Sequence, residues 1–172
     1  MLVGIVAITE DGLMGKANGI PWKIKDDLRL FKSITDGKTL IVGAETFKNL
    51  PYLPNRKFVV VSRSETLPES KNEVISHIQH LETLEEYVGS SDKYYLIGGN
   101  TIYNLLMDKC EYFLMTRILS KEFTGEVYFD IERFEHMFTP MNRTLVTDRE
   151  TGIDFYFELH RRNLDVRKFF NE

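Results

Sequence analysis

Short apolar runs rich in β-branched residues recur along this chain, each closed by a turn and most followed by a stretch of helical spacing. The runs are Leu2–Ile8, Thr39–Val42, Phe58–Val61, Tyr94–Ile97 and Tyr112–Ile118, bounded by Gly, Pro or polar residues. Continuous apolar runs of this length read as buried strands. Between them Lys25–Ile34, Ala44–Leu50, Leu81–Val88 and Thr101–Leu106 read as helices. Strands alternating with helices predict a parallel α/β sheet. The last third changes character. Phe134–Asp148 and Ile153–Arg161 read as two strands around Glu150-Thr151-Gly152, a hairpin that gives the sheet an antiparallel edge. A chain of 172 residues fits one domain, expected over residues 1–162. The tail Asn163–Glu172 shows no partner in the sequence.

Composition removes several classes of function. The net charge is -4 and no Lys/Arg-rich run supplies the basic face that nucleic acid requires. An anionic small molecule would have to be met by a few local basic residues. The one cysteine, Cys110, excludes an intrachain disulfide and suits a reducing compartment. The first apolar run lacks a basic start and ends in Thr9-Glu10-Asp11-Gly12, so it reads as strand and turn rather than signal peptide. No apolar stretch approaches a membrane span. A cytoplasmic protein is expected.

Two junctions invite a ligand. Thr39–Val42 runs into Gly43 and a helix, and Tyr94–Ile97 runs into Gly98-Gly99 and a helix. Each would turn unpaired backbone N–H groups outward at the positive end of a helix, which suits phosphate. The same glycines also serve plain tight turns, so either junction by itself stays open. The segment Asn18-Gly19-Ile20-Pro21-Trp22 leads into a helix on which Asp27, Leu28 and Phe31 share a face. Asp26 reads as a solvent-facing or capping acid. Asp27 sits at the margin of the apolar stripe, where burial is costly and raises a carboxyl pKa. First-turn charges favoured by the helix dipole would account for both acids equally well.

These residues belong to a longer ordered set. Pro21-Trp22, Asp27-Leu28 and Phe31-Lys32 are followed by Gly43-Ala44-Glu45-Thr46-Phe47, Pro54-Asn55-Arg56 and Val61-Ser62-Arg63-Ser64. Then come Ile97-Gly98-Gly99-Asn100-Thr101-Ile102-Tyr103, Thr116 and Gly125-Glu126-Val127-Tyr128-Phe129. In order and spacing the chain resembles the dihydrofolate reductases over roughly residues 2–160. The resemblance implies a single-domain fold with a mostly parallel twisted sheet of about eight strands, an antiparallel C-terminal hairpin and about four helices. It implies hydride transfer from NADPH to C6 of 7,8-dihydrofolate with protonation at N5, by a monomer that needs no metal. Tetrahydrofolate made this way would serve one-carbon metabolism.

The resemblance also implies roles. Asp27 would grip the pterin N3 and 2-amino group, Thr116 would hydrogen-bond that carboxylate, and Trp22 would hold a water beside the pocket. Ile5, Ala7, Leu28, Phe31 and Leu50 would wall the pocket, with Ala7 also facing the cofactor. Arg56 would pair with the substrate's glutamate α-carboxylate. Leu13, Met14, Gly15, Asn18, Gly19 and Ile20 would belong to a lid over the nicotinamide, given mobility by Gly12, Gly15 and Gly19. Gly43, Ala44, Glu45 and Thr46, with Gly98, Gly99, Asn100, Thr101, Ile102 and Tyr103, would cradle the phosphates. Ile97 and Tyr103 would flank the nicotinamide, and Ser62 and Arg63 would meet the 2′-phosphate.

Departures from the family pattern cluster at the adenosine end. Ala44 and Thr101 stand where relatives often carry Arg, Glu82 falls near a frequent Lys, and Asn100 and Glu126 replace a commoner Gly and Asp. Arg63 would then carry the 2′-phosphate alone, and preference for NADPH over NADH should narrow. Two rivals share the fold: the riboflavin-pathway reductase and an inactive structural relative. The first needs neither Asp27 beside Phe31 nor Arg56, and the second gains nothing from an acid placed among apolar residues.

Overall fold

A computed structural model describes residues 1–15 and 20–165. The chain runs β1 (Leu2–Thr9), β2 (Leu13–Gly15), α1 (Lys25–Thr35), β3 (Thr39–Gly43), α2 (Ala44–Asn49), β4 (Lys57–Val61) and β5 (Glu73–Ile78). After a 3-10 turn at Leu81–Leu84 it continues with α3 (Glu85–Val88), β6 (Tyr94–Gly98) and α4 (Asn100–Leu106). A second 3-10 turn, Met107–Lys109, leads to β7 (Cys110–Ile118), β8 (Val127–Tyr128), α5 (Ile131–Met137), β9 (Phe138–Thr147) and β10 (Asp154–Arg162).

Eight strands form one sheet in the order β5-β4-β3-β6-β1-β7-β10-β9, and β2 pairs separately with β8. From β5 to β7 every neighbour is parallel. β10 then runs antiparallel to β7 and to β9. Both faces of the parallel part are covered, which is why its strands are apolar at successive positions. Along β1, Leu2, Val6 and Ile8 enter a core shared with Phe113, Phe134 and Phe138, while Val3 enters the opposite one with Leu40, Val42 and Phe58. Gly4 is where that first core comes closest to the backbone. A Cβ there would lie 2.2 Å from the Phe113 ring, so only glycine admits the phenyl.

The sequence reading holds for the sheet and differs from the structure at three places. Phe134–Asp148 is not one strand: α5 takes Ile131–Met137, its N-cap Asp130 accepting from the Arg133 N–H at 3.1 Å, and β9 begins at Phe138. Apolar residues of a short helix and of the strand after it ran together in one hydrophobic stretch. β5, at the sheet edge, went unread because its apolar residues Val74, Ile75 and Ile78 are interrupted by Ser76 and His77 and form no continuous run. Leu13–Gly15, expected within a free lid, is strand β2, and a Cβ at Gly125 would lie 2.3 Å from the Gly15 carbonyl oxygen. The tail does have a partner at its start. The Asn163 N–H donates to the Met137 carbonyl at 2.8 Å and its side-chain amide to His136 at 3.1 Å.

Candidate active site

The parallel pairing of β1 with β7 brings Ile5 beside Leu114 and Ala7 beside Thr116. These residues line one face of the sheet, and α1 lies across it. Phe31 from α1, Leu50 from the end of α2 and Ile97 from β6 pack with Ile5 and Leu114 against the core on this side. Ile5, Ala7, Phe31 and Leu50 are all half-buried, as walls of a cleft should be rather than core, and Leu28 is 44% exposed. Trp22 is buried beneath them, edge-on to Phe123 with ring centroids 5.6 Å apart.

Into this apolar setting α1 delivers Asp27. Its Oδ1 accepts the Thr116 hydroxyl at 2.6 Å, across 89 residues of sequence. Burial pushes the carboxyl above its ordinary range, and the Thr116 hydrogen bond only partly offsets this. Asp26, its neighbour, behaves in the opposite way and corrects the expectation of a solvent-facing or capping acid, since it is buried and caps no N–H of its own helix. Asp26 is only 8% exposed. The Arg149 backbone N–H, then its guanidinium, and Arg29 beyond them hold the Asp26 carboxyl down at about 2.

Arg56 is also not the solvated charge that an isolated turn arginine would be. It is buried, with Nε on the Thr35 hydroxyl at 3.2 Å, one Nη on the Pro54 carbonyl at 2.7 Å and the other on the Lys32 carbonyl. A guanidinium held this way is oriented before any ligand arrives, with N–H capacity left over. Sequence reasoning missed Asn72, which fixes the nearby loop by accepting from the Leu53 N–H at 2.7 Å and donating to the Pro51 carbonyl at 3.0 Å. One buried Asn in a polar stretch leaves no signal.

At the other end of the cleft the two strand–Gly–helix junctions interlock. β3 and β6 are neighbours, pairing Val42 with Gly98, so α2 and α4 begin side by side. A Cβ on Gly43 would lie 2.9 Å from Ile102 Cγ1, and one on Gly99 would lie 2.7 Å from Thr46 Oγ1. Gly98 has φ +109, and the Gly98-Gly99 peptide is cis. Tyr103 is buried, and its hydroxyl donates to the Ile5 carbonyl, linking this junction to the substrate wall. Asn100 Oδ1 is buried without a partner among the described residues.

Several expected cofactor contacts sit deeper than a direct side-chain role would need: Leu13 and Ile102 are core residues. Ala44 is half-buried, whereas Glu45, Thr101 and Arg63 are exposed at the rim. Ser62 is half-buried, its Oγ accepting from the Ser64 N–H at 3.1 Å. Met14 packs against the core, Gly15 is buried in β2 and Ile20 is exposed. Asn18 and Gly19 lie outside the described residues.

A carboxylate partnered by a strand threonine among apolar walls, beside two glycine junctions, can hold a flat cationic heterocycle next to a dinucleotide. The family profile for dihydrofolate reductase matches residues 1–162. The chain belongs to the dihydrofolate reductase family. It is 36% identical to the bifunctional dihydrofolate reductase-thymidylate synthase of Paramecium tetraurelia, across 98% of this chain but only 36% of that relative's length. It is 35% identical to dihydrofolate reductase type 15 of Escherichia coli, covering 73% of this chain and 78% of the relative. For the Bacillus subtilis dihydrofolate reductase the identity is 32%, with 75% of each covered. A dihydrofolate reductase of Enterococcus faecalis, solved with NADP(H) and RAB-propyl, shares the fold at a TM-score of 0.80. It is 24% identical and covers 95% of this chain and 97% of the other.

Proposed function

We propose that this member of the dihydrofolate reductase family reduces 7,8-dihydrofolate to 5,6,7,8-tetrahydrofolate, consuming one NADPH and one proton. The observation that carries this reading is Asp27, a carboxylate lifted above its ordinary pKa and hydrogen-bonded to Thr116 inside a half-buried apolar wall. A charge set in apolar surroundings costs stability, and that cost is warranted by a ligand with matching donors.

The residues present fit the cofactor. Gly43 and Gly99 let the starts of α2 and α4 pack directly on each other, since a Cβ at either would strike Ile102 or Thr46, and the first-turn N–H groups of both helices would face a bound phosphate. Unpartnered Asn100 Oδ1 gives a bound group something to satisfy. Ile97, Gly98, Gly99, Thr101 and Tyr103 from the β6–α4 junction would hold the cofactor with Gly43 to Thr46, while Ser62 and Arg63 would meet the 2′-phosphate. When bound, NADPH supplies the hydride that reaches C6.

The chain's own residues do the rest. Asp27 accepts from the pterin N3–H and 2-amino group, which orients the ring and favours the form that gains a proton at N5. Thr116 keeps the carboxylate on one rotamer by donating to Oδ1. Ile5, Ala7, Leu28, Phe31 and Leu50 exclude water from the ring faces, and Trp22 closes the pocket floor. Arg56, fixed by three chain oxygens, offers its remaining N–H groups to the glutamate tail. Positioning, more than any covalent step by the protein, brings C6 to the hydride donor.

The site proposed here is complete within one chain, and a monomer is the working form we propose. Among the described residues no helix is long and apolar enough to cross a membrane, and the sole cysteine is buried and unpaired. Both fit the cytoplasmic setting proposed here. The test is loss of NADPH absorbance on adding dihydrofolate, abolished by methotrexate. Absence of dihydrofolate-dependent oxidation would remove the proposal.

A further inference from the structure

We infer that the β9–β10 turn is a positioning device for the Asp27 carboxylate, acting as a remote cap and clamp on the first turn of α1. The inference rests on the role given to Asp27 above.

A helix leaves its first four N–H groups without partners inside the helix. At the start of α1 stands Ile24, which offers no side-chain cap. The cap comes instead from 122 residues away: the Asp26 N–H donates to Asp148 Oδ1 at 3.0 Å. The contact is reciprocal, because Asp26 Oδ2 accepts the Arg149 N–H at 2.8 Å and Oδ1 accepts the Arg149 guanidinium at 3.1 Å. Lys25 adds an ion pair to Glu150 at 2.6 Å. The turn is locked in itself, for Asp148 Oδ2 accepts both the Thr151 N–H at 2.9 Å and its hydroxyl at 2.7 Å.

These contacts close a mechanical ring. β10 leaves the turn and pairs with β7, setting Phe157 beside Thr116, and Thr116 grips Asp27 at 2.6 Å. Asp27 follows Asp26 directly on α1. The backbone at 26 is therefore fixed from the turn while the side chain at 27 is fixed from β7. Loosening the turn would free one end of that ring and let water reach the carboxylate. Among the described residues none of the hydrogen bonds or ion pairs of this ring reaches the β3–α2 or β6–α4 junctions, so the effect should fall mainly on the substrate side.

The decisive variant is Arg149→Ala, because that side chain is 78% exposed and its removal leaves the core intact. Its measurements are the dihydrofolate KM, the NADPH Kd and the Asp27 carboxyl-carbon NMR titration, assigned with Asp27→Asn. The KM should rise by up to about fivefold, the reach of one partly exposed charged contact, because the Asp148 cap and the Arg149 N–H both remain. The NADPH Kd should hold. The Asp27 titration midpoint should move down toward an ordinary carboxylate, whereas mere loss of a nearby cation would move it up. Arg149→Lys, which restores a positive charge beside Asp26, should recover most of the loss. An unchanged or rising midpoint, or an equal loss of both ligands, overturns the clamp. A wild-type protein without dihydrofolate turnover would remove the functional reading alone, since the titration still decides the clamp.

Discussion

The two halves of the cleft are built from different materials. On the substrate side one charged side chain, Asp27, stands among apolar walls and depends on Thr116 for its partner. On the proposed cofactor side the work falls to backbone and to missing side chains, with Gly43 and Gly99 allowing the starts of α2 and α4 to pack close together, and charged groups only at the exposed rim. The difference teaches where each half is vulnerable. A single change of charge should disable the first, whereas the second should yield to added bulk and respond only weakly to charge.

The largest effect is expected from Asp27→Asn. The amide keeps the shape and can still accept from Thr116, but it cannot hold a negative charge against the pterin. Turnover at neutral pH should fall by about 10²- to 10⁴-fold, the usual reach of a positioned acid or base. NADPH affinity should stay near that of the wild type. Stopped-flow hydride transfer and cofactor titration measure the two separately, and a matching loss on both sides would erase the contrast between halves. Gly43→Ala comes next. Its Cβ would lie 2.9 Å from Ile102 Cγ1, so the start of α4 must shift. The NADPH Kd should rise about tenfold, by the same overpacking reasoning, while dihydrofolate binding holds. An undisturbed Kd would show that the junctions do not fit together around the cofactor.

A smaller effect separates Asp27 from Asp26 within the substrate half. The folded carboxyl of Asp27 lies above its unfolded value, so wild-type stability falls as pH rises from the ordinary carboxylate range through the folded one. Asp27→Asn removes that loss and should raise Tm by a few degrees at pH 7 while changing nothing in strong acid. Asp26 has the reverse sign. Its folded carboxyl sits at about 2, so it contributes stability above the ordinary carboxylate range and loses it as pH falls toward 2. Asp26→Asn should therefore lower Tm at pH 7. Thermal melts across pH that moved both variants in one direction would contradict the opposed environments.

The sequence made one of these halves far more legible than the other. Strands buried on both faces announce themselves as apolar runs, and the glycines at 43, 98 and 99 mark turns whatever they bind. Asp27 and Thr116 could be joined only through resemblance, because 89 residues separate them and threonine is ordinary in a strand. The environment of Asp26 was out of reach for the same reason. Its partners lie in a hairpin turn whose residues look like any polar loop, and no local pattern says which helix that turn will meet. β2 went unread because three residues beside a turn carry no strand signal, and their pairing depends on distant Gly125, whose missing Cβ lets it approach the Gly15 carbonyl.

The smallest expected effect lies at the cofactor rim, where charge rather than shape is missing. Ala44 and Thr101 stand where the resemblance puts Arg, exposed Glu45 would set a like charge beside the proposed phosphate site, and exposed Arg63 remains. Ala44→Arg should raise the preference for NADPH over NADH by up to about fivefold, since an exposed ion pair is worth only ~1 kcal/mol or less. NADH affinity should not change, because it lacks the 2′-phosphate that the new guanidinium would meet. Salt supplies the sharper check. The gain should shrink as ionic strength rises and the Debye length drops below the reach of a rim charge. An improvement shared by both cofactors, or one indifferent to salt, would mean that the new side chain acts by packing at the start of α2. Binding on this side would then be decided by shape at the rim as well as in the cradle.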